Sequence, residues 1–151
     1  MRYFGSDHFA GRINFVDAFN VLVGYDMIAD CCEKFEWFVT DVAHFNDGHE
    51  YWEARTRAGV NEFGEPKSNV NEISGWDEYR FDVSWCNVIE NMDIRPYYDS
   101  DEESMSVAMF RMVAEGRRDL YLVFSNCHNG FYSHGFDMKD ESGRILHEGS
   151  L

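Results

Sequence analysis

The sequence predicts a β-rich α+β fold: a mostly antiparallel sheet or small open barrel of about six to eight strands, with at most one or two short helices. Three observations carry that reading. Short runs of aromatic and β-branched residues recur between Gly, Asp and Asn punctuation. Several of those runs alternate apolar with polar side chains, the period of a half-buried strand. Of the 151 residues, 44% are hydrophobic and 17% aromatic, enough to build a core without a metal or a disulfide and far too apolar for disorder. A single domain over residues 1–151 is the expectation at this length.

Taken in order, residues 19–25, closed by Gly24 and Asp26, give the first strand signal and residues 35–40 the second, with Cys31-Cys32-Glu33 between them. From 42 to 75 the composition turns polar, with Gly48, Gly59, Gly64 and Pro66. This reads as an irregular excursion with one short helical turn over residues 50–57. Residues 76–94 recover alternation, which sets Tyr79, Phe81, Val83 and Trp85 on one face while Asp77, Arg80 and Asp82 break the other. Residues 99–103 form an acidic loop. Met105, Met109 and Met112 have helical spacing, but Val107, Met109, Arg111 and Val113 alternate and Glu115-Gly116 turns the chain, so residues 105–113 are assigned to a strand. Residues 120–125 and 131–138 read as strands of a hairpin closed by Asn129-Gly130, since both turn residues tolerate positive φ. In that register Ser125 faces His134 and Cys127 faces Tyr132. Residues 139–143 turn the chain once more into 144–147.

Charge narrows the function. Thirteen Lys and Arg against 28 Asp and Glu leave a formal net charge of −15, so broad surfaces repel nucleic acid and anionic lipid. No apolar run approaches the roughly 20 residues that span a bilayer. Met1-Arg2-Tyr3-Phe4-Gly5-Ser6-Asp7-His8 places an acid and a histidine where a secretory signal needs an unbroken apolar segment. A cytoplasmic protein is expected, with Cys31, Cys32, Cys86 and Cys127 as thiols.

Two constellations carry possible chemistry. Cys31, Cys32, Cys127 and His134 are residue types that zinc or a small ligand would use, and the hairpin register sets Cys127 and His134 diagonally on one sheet face, where they would also form the one cysteine–histidine pair for nucleophilic catalysis. Their spacings do not follow the paired C-x₂₋₄-C or H-x₃₋₅-H pattern of structural zinc, and buried thiols with a hydrogen-bonded sheet histidine are the competing reading. No G-x-S-x-G, H-E-x-x-H, P-loop or G-x-G-x-x-G motif occurs, so neither catalysis nor a cofactor is expected. The second constellation is the acidity itself. Same-face carboxylates on a strand recur about every 6.7 Å, comparable to successive phosphates of one nucleic-acid strand.

Tyr25 through Glu33, with its Cys31-Cys32-Glu33, and the late segment Ser125-Asn126-Cys127-His128-Asn129-Gly130-Phe131-Tyr132-Ser133 together resemble an uncharacterised family of small proteins from phages and bacteria. Its members carry a Cys-Cys-Glu element and a late Ser-Asn-Gly-Tyr-Tyr-Ser hairpin. The resemblance implies a phage or mobile-element setting, hence the host cell cytoplasm, and supplies no catalytic residue. With the charge, it leads to a non-catalytic inhibitor of the anti-CRISPR or anti-restriction type, which mimics DNA and occupies the basic groove of a host nucleic-acid-binding protein. Asp99, Asp101, Glu102 and Glu103 would form its rim and exposed Trp52 or Trp76 its anchors. A metal- or small-ligand-binding domain built on Cys31, Cys32, Cys127 and His134 is the alternative.

Overall fold

The computed structural model describes residues 2–4, 11–26, 34–61, 66–67, 70–95, 104–127 and 134–151. Among them are nine strands: β1 (Arg2–Phe4), β2 (Arg12–Val16), β3 (Leu22–Asp26), β4 (Lys34–Thr40), β5 (Arg80–Asp93), β6 (Ser104–Val113), β7 (Leu120–Cys127), β8 (Gly135–Lys139) and β9 (Ile145–Ser150). One helix, α1 (Gly48–Ala58), and two 3-10 turns, Val70–Glu72 and Trp76–Glu78, complete the described elements. The chain is thus β-rich α+β as expected, but its strands divide between two antiparallel sheets. The first has the order β1-β2-β3-β8-β9 and the second β4-β7-β6-β5. Among the described residues no helix is long and apolar enough to cross a membrane.

Alternation explains the layering. In β6, Ala108, Phe110 and Met112 point toward the first sheet, while Met105, Val107 and Met109 point the other way, toward α1. Both sets are buried, because the second sheet is covered on both faces. This is why the methionines of β6 also read as helical: a strand apolar on both sides loses its period-two signature. In β7 every residue is buried. Between the sheets, Ile13, Phe15, Val23, Tyr25, Phe136 and Met138 meet Trp37, Phe110, Leu122 and Phe124. On the far face, Phe38, Val107, Met109 and Val123 meet Phe45, Tyr51 and Ala54. The order of layers is sheet, sheet, helix.

Helix α1 spans the region assigned to a short turn. Asp47 caps it by accepting from the Glu50 backbone N–H at 2.9 Å, and Glu50 in turn accepts from the Asn46 N–H at 2.8 Å. Arg55 and Arg57 occupy its last turn, where cations oppose the helix dipole, and Gly59 ends it at φ 66°.

Two register expectations are corrected. Strand β7 pairs with β4 on one side and β6 on the other, while β8 pairs with β3 and β9. Leu120–Cys127 and the strand after it therefore belong to different sheets, and the chain crosses between layers where a hairpin was expected. The Asn129-Gly130 turn itself lies outside the described residues. A local turn signal cannot report that both edges of β7 are already filled by strands distant in sequence. In β5, Phe81 pairs with Met112 but Cys86 pairs with Phe110, so extra residues bulge out between them. The bulge shifts the faces: Phe81 stays between the sheets, Trp85 packs on the helix side against Tyr121, and Val83 is exposed.

Candidate functional site

Surface charge is the feature that the fold organises most consistently. Arg12 of β2 lies across β3, its Nη1 pairing with Asp26 at 2.7 Å, its Nη2 with Asp137 at 2.5 Å, and its Nε donating to Asn14 at 3.2 Å. Gly24 makes this possible, because a Cβ there would collide with the guanidinium. Lys139 also pairs with Asp137. Elsewhere Arg111 holds Asp119 and Asp82, Arg117 holds Glu78, Arg118 holds Asp41, Arg95 holds Asp93 and Arg144 holds Asp140. The cations are thus largely neutralised by the protein's own acids. Glu72, Asp77, Glu90, Glu115, Glu141 and Glu148 are exposed and share in none of these pairs. Glu148 stands directly opposite Asp137 in the β8–β9 ladder, beside the Arg12 and Lys139 pairs that Asp137 already makes.

Hydrogen bonding keeps several of these acids ionised. Bonds from the Arg95 side chain and backbone bring Asp93 down to about 2. The Arg117 guanidinium holds Glu78 below the usual carboxylate range, and the Ser84 and Ser142 hydroxyls do the same for Asp82 and Asp140.

The expected interface residues separate. Asp99, Asp101, Glu102 and Glu103 lie outside the described residues. Trp52 sits half-buried on α1 with the Arg55 guanidinium 4.8 Å from its ring centroid. Trp76, expected as an exposed anchor, is only 3% exposed. The 3-10 turn at Trp76–Glu78 rotates its indole into the inter-sheet core beside Val70, Tyr79 and Phe81, while Asp77 and Glu78 face solvent. An exposed aromatic that the sequence reading placed inside a strand is Phe19, at 61% exposure. It sits at the tip of the β2–β3 turn, with the Arg80 guanidinium 5.7 Å from its ring centroid. The readable signal was its bracketing by Asp17 and Asn20, both turn formers. Asp17 accepts from the Phe19, Val21 and Phe81 N–H groups, which ties this turn to β5 of the other sheet.

The cysteine–histidine constellation also separates. Cys127 is fully buried on the helix side of β7, whereas His134 packs against Tyr25 and Phe35 between the sheets. The two residues occupy opposite faces of the second sheet, so they form neither a nucleophile–base pair nor half of one ligand set. Cys31 and Cys32 lie outside the described residues. Burial pushes the Cys86 thiol up to about 11.

One buried polar cluster was not anticipated. Glu36 of β4 receives a two-pronged bond from Arg55, Nε to Oε2 at 2.6 Å and Nη2 to Oε1 at 2.5 Å. The Tyr51 hydroxyl reaches the same carboxylate at 3.2 Å and the Ser125 hydroxyl at 2.7 Å. Tyr51 and Ser125 are fully buried, so this cluster fastens α1 to the sheet.

No family model, curated protein or solved structure matches this chain. The surface chemistry is therefore what any functional reading of this chain has to rest on.

Proposed function

We propose that the chain is a non-catalytic, acidic protein-binding protein that occupies the basic groove of a nucleic-acid-binding protein in place of the polyanion. On the resemblance of its two short motifs, that partner is a host defence enzyme and the chain is its phage or mobile-element inhibitor. A single observation supports the reading most: among the described residues most arginines are turned onto the protein's own carboxylates, which leaves surface acids such as Glu72, Asp77, Glu90 and Glu148 outside these pairs. Had the cations been spread among those acids, the long-range field at net charge −15 would be patchwork; as arranged, it steers the molecule toward positive grooves. Among the described residues, Phe19 and Trp52 offer aromatic side chains to anchor the contact once it forms.

Capture from a bacterial lysate on the immobilised protein, followed by elution with either duplex DNA or salt, tests this. The expected outcome is retention of nucleic-acid-binding proteins that duplex DNA displaces and that rising salt releases, since exposed charges more than about 8 Å apart are screened at physiological ionic strength. Charge reversal across Asp99, Asp101, Glu102 and Glu103 should slow association more than it speeds dissociation, because rim charges act on encounter. A partner that binds this chain and its nucleic acid together, indifferent to salt, would refute mimicry.

A further inference from the structure

Helix α1 ends beside a cleft of about 430 Å³, bounded also by the end of β4, the turn before Trp76 and the start of β7. Its walls are aliphatic, with Val39, Ala58, Ile73 and Leu120 forming much of them, and its charged lining is Arg57, Arg118 and Asp41. The volume falls in the ordinary range of small-molecule pockets, roughly 300–1,000 Å³, which pair apolar walls with a few placed polar groups. A second cleft of about 290 Å³ shares Ile73, Arg118 and Leu120 with the first and adds Arg117.

Charge accounting decides which ligand fits. Asp41 neutralises Arg118 at 2.8 Å, and Glu78 neutralises Arg117 at 2.8 Å. Arg57 is exposed and takes part in none of the ion pairs that hold most other arginines. Among the described residues that line it, the cleft therefore carries one positive charge in excess over apolar walls, within a protein whose overall charge of −15 repels polyanions. We propose that it binds a small monocarboxylate with an aliphatic body, the carboxylate received by the Arg57 guanidinium and the chain lying against Val39, Ala58, Ile73 and Leu120. Guanidinium matches carboxylate geometry through paired N–H donors, and the aliphatic walls exclude water from the hydrocarbon. This site is independent of the acidic surface and would stand if mimicry failed.

Octanoate is the probe, with octanol as its neutral counterpart and inorganic phosphate as an anion lacking the apolar body. Side-chain methyl and arginine Nε–H signals of the full chain are followed by NMR during each titration. Octanoate should saturate one site and shift Val39, Ala58, Ile73 and Arg57, while octanol and phosphate bind at least about tenfold more weakly, as expected when a charged hydrogen bond or the apolar contact is missing. Arg57→Gln should weaken octanoate about tenfold or more, and Arg144→Gln, on the distant β8–β9 turn, should not. Ala58→Leu should abolish binding by filling the cleft while leaving the melting temperature nearly unchanged, because Leu ranks next to Ala as a helix former. Equal affinity for octanol, phosphate binding as tight as octanoate, or Arg57→Gln that lowers stability but leaves octanoate affinity intact would each overturn the proposal. The last result would assign Arg57 to the helix dipole alone.

Discussion

The two faces of the second sheet are held by different physics, although the same strands supply both. Toward the first sheet, β4 and β7, with β6 beside them, present rings to rings: Tyr25 stacks on Phe124 at 4.7 Å between centroids, Phe15 meets Trp37 edge-on at 4.9 Å, and Phe110 of β6 meets Phe136 at 5.7 Å. Toward α1, the same two strands offer Phe38 and Val123 together with Glu36 and Ser125. A sheet covers a sheet with a broad apolar surface, so shape sets most of its position, and a few hydrogen bonds, from the Phe81 N–H to Asp17 and from the Tyr25 hydroxyl to the Ser125 carbonyl, add to it. An 11-residue helix that buries only Gly48, Tyr51 and Ala54 has no such surface. Its position over the sheet depends on the bonds from Arg55 and Tyr51, which fix a direction that apolar contact leaves free.

If that contrast is right, the largest loss comes from the ring face. Phe124→Ala removes the ring shared by Tyr25, Phe15 and Phe110 and should cost about 3–5 kcal/mol in urea unfolding. A loss under about 1 kcal/mol, the scale of a surface substitution, would mean that the two sheets do not depend on this ring.

Next in size is Glu36→Ala, which strands Arg55 against the sheet. Removing one partner of a fully buried pair costs about 3–5 kcal/mol, but the Arg55 side chain is 20% exposed and can hydrate in part, so about 2 kcal/mol is expected. The effect should also be local. Hydrogen exchange should quicken in α1 while the β6–β7 amides stay protected. Replacing both partners, Glu36→Leu with Arg55→Met, should recover most of the loss, because no charge is then left without its partner. A double variant as unstable as Glu36→Ala would show that the helix is seated by something other than this pair. Tyr51→Phe should cost about 1 kcal/mol, since Ser125 loses one hydrogen-bond partner while the ring contacts to Phe38 and Phe45 persist.

The same contrast explains what the sequence discloses. Strands β4 and β7 are legible because their aromatic and β-branched runs encode burial locally, β6 only through its alternation and the turn after it, and the β8–β9 turn is legible because Asp140 and Gly143 are turn residues that accept and bend as expected, with Asp140 accepting from Ser142 and Gly143 at φ 83°. The division into two sheets is not legible. Asn129-Gly130 signals a hairpin, yet β7 finds partners in β4 and β6, and that competition is decided by burial on both faces of the second sheet. Trp76 reads as an exposed aromatic and so a candidate anchor, whereas a single 3-10 turn aims it inward. Glu36 and Arg55 lie 19 residues apart with nothing in either segment to pair them. The acidic character of the site is readable as a count of residues; which cations neutralise which acids depends on strand register, as Arg12 reaching Asp137 across β3 shows.

The smallest expected effect belongs to the surface pairs, and it has a definite sign. Arg95 lowers Asp93 from an ordinary 3.8 to about 2, and Glu78, Asp82 and Asp140 are lowered by their own partners. A carboxylate whose value is lower folded than unfolded stabilises the fold above the unfolded value and loses that contribution as pH falls through the folded one. For Asp93 the window runs from about 4 down to about 2. Carboxyl carbon NMR should therefore show Asp93 titrating near 2, and Arg95→Gln should return it toward the ordinary range. The melting temperature should hardly respond to Arg95→Gln at neutral pH, because a fully hydrated pair is screened and costs side-chain entropy to hold. An Arg95→Gln loss as large as that of Glu36→Ala would erase the distinction between an exposed pair that shapes the field and a buried pair that seats a helix.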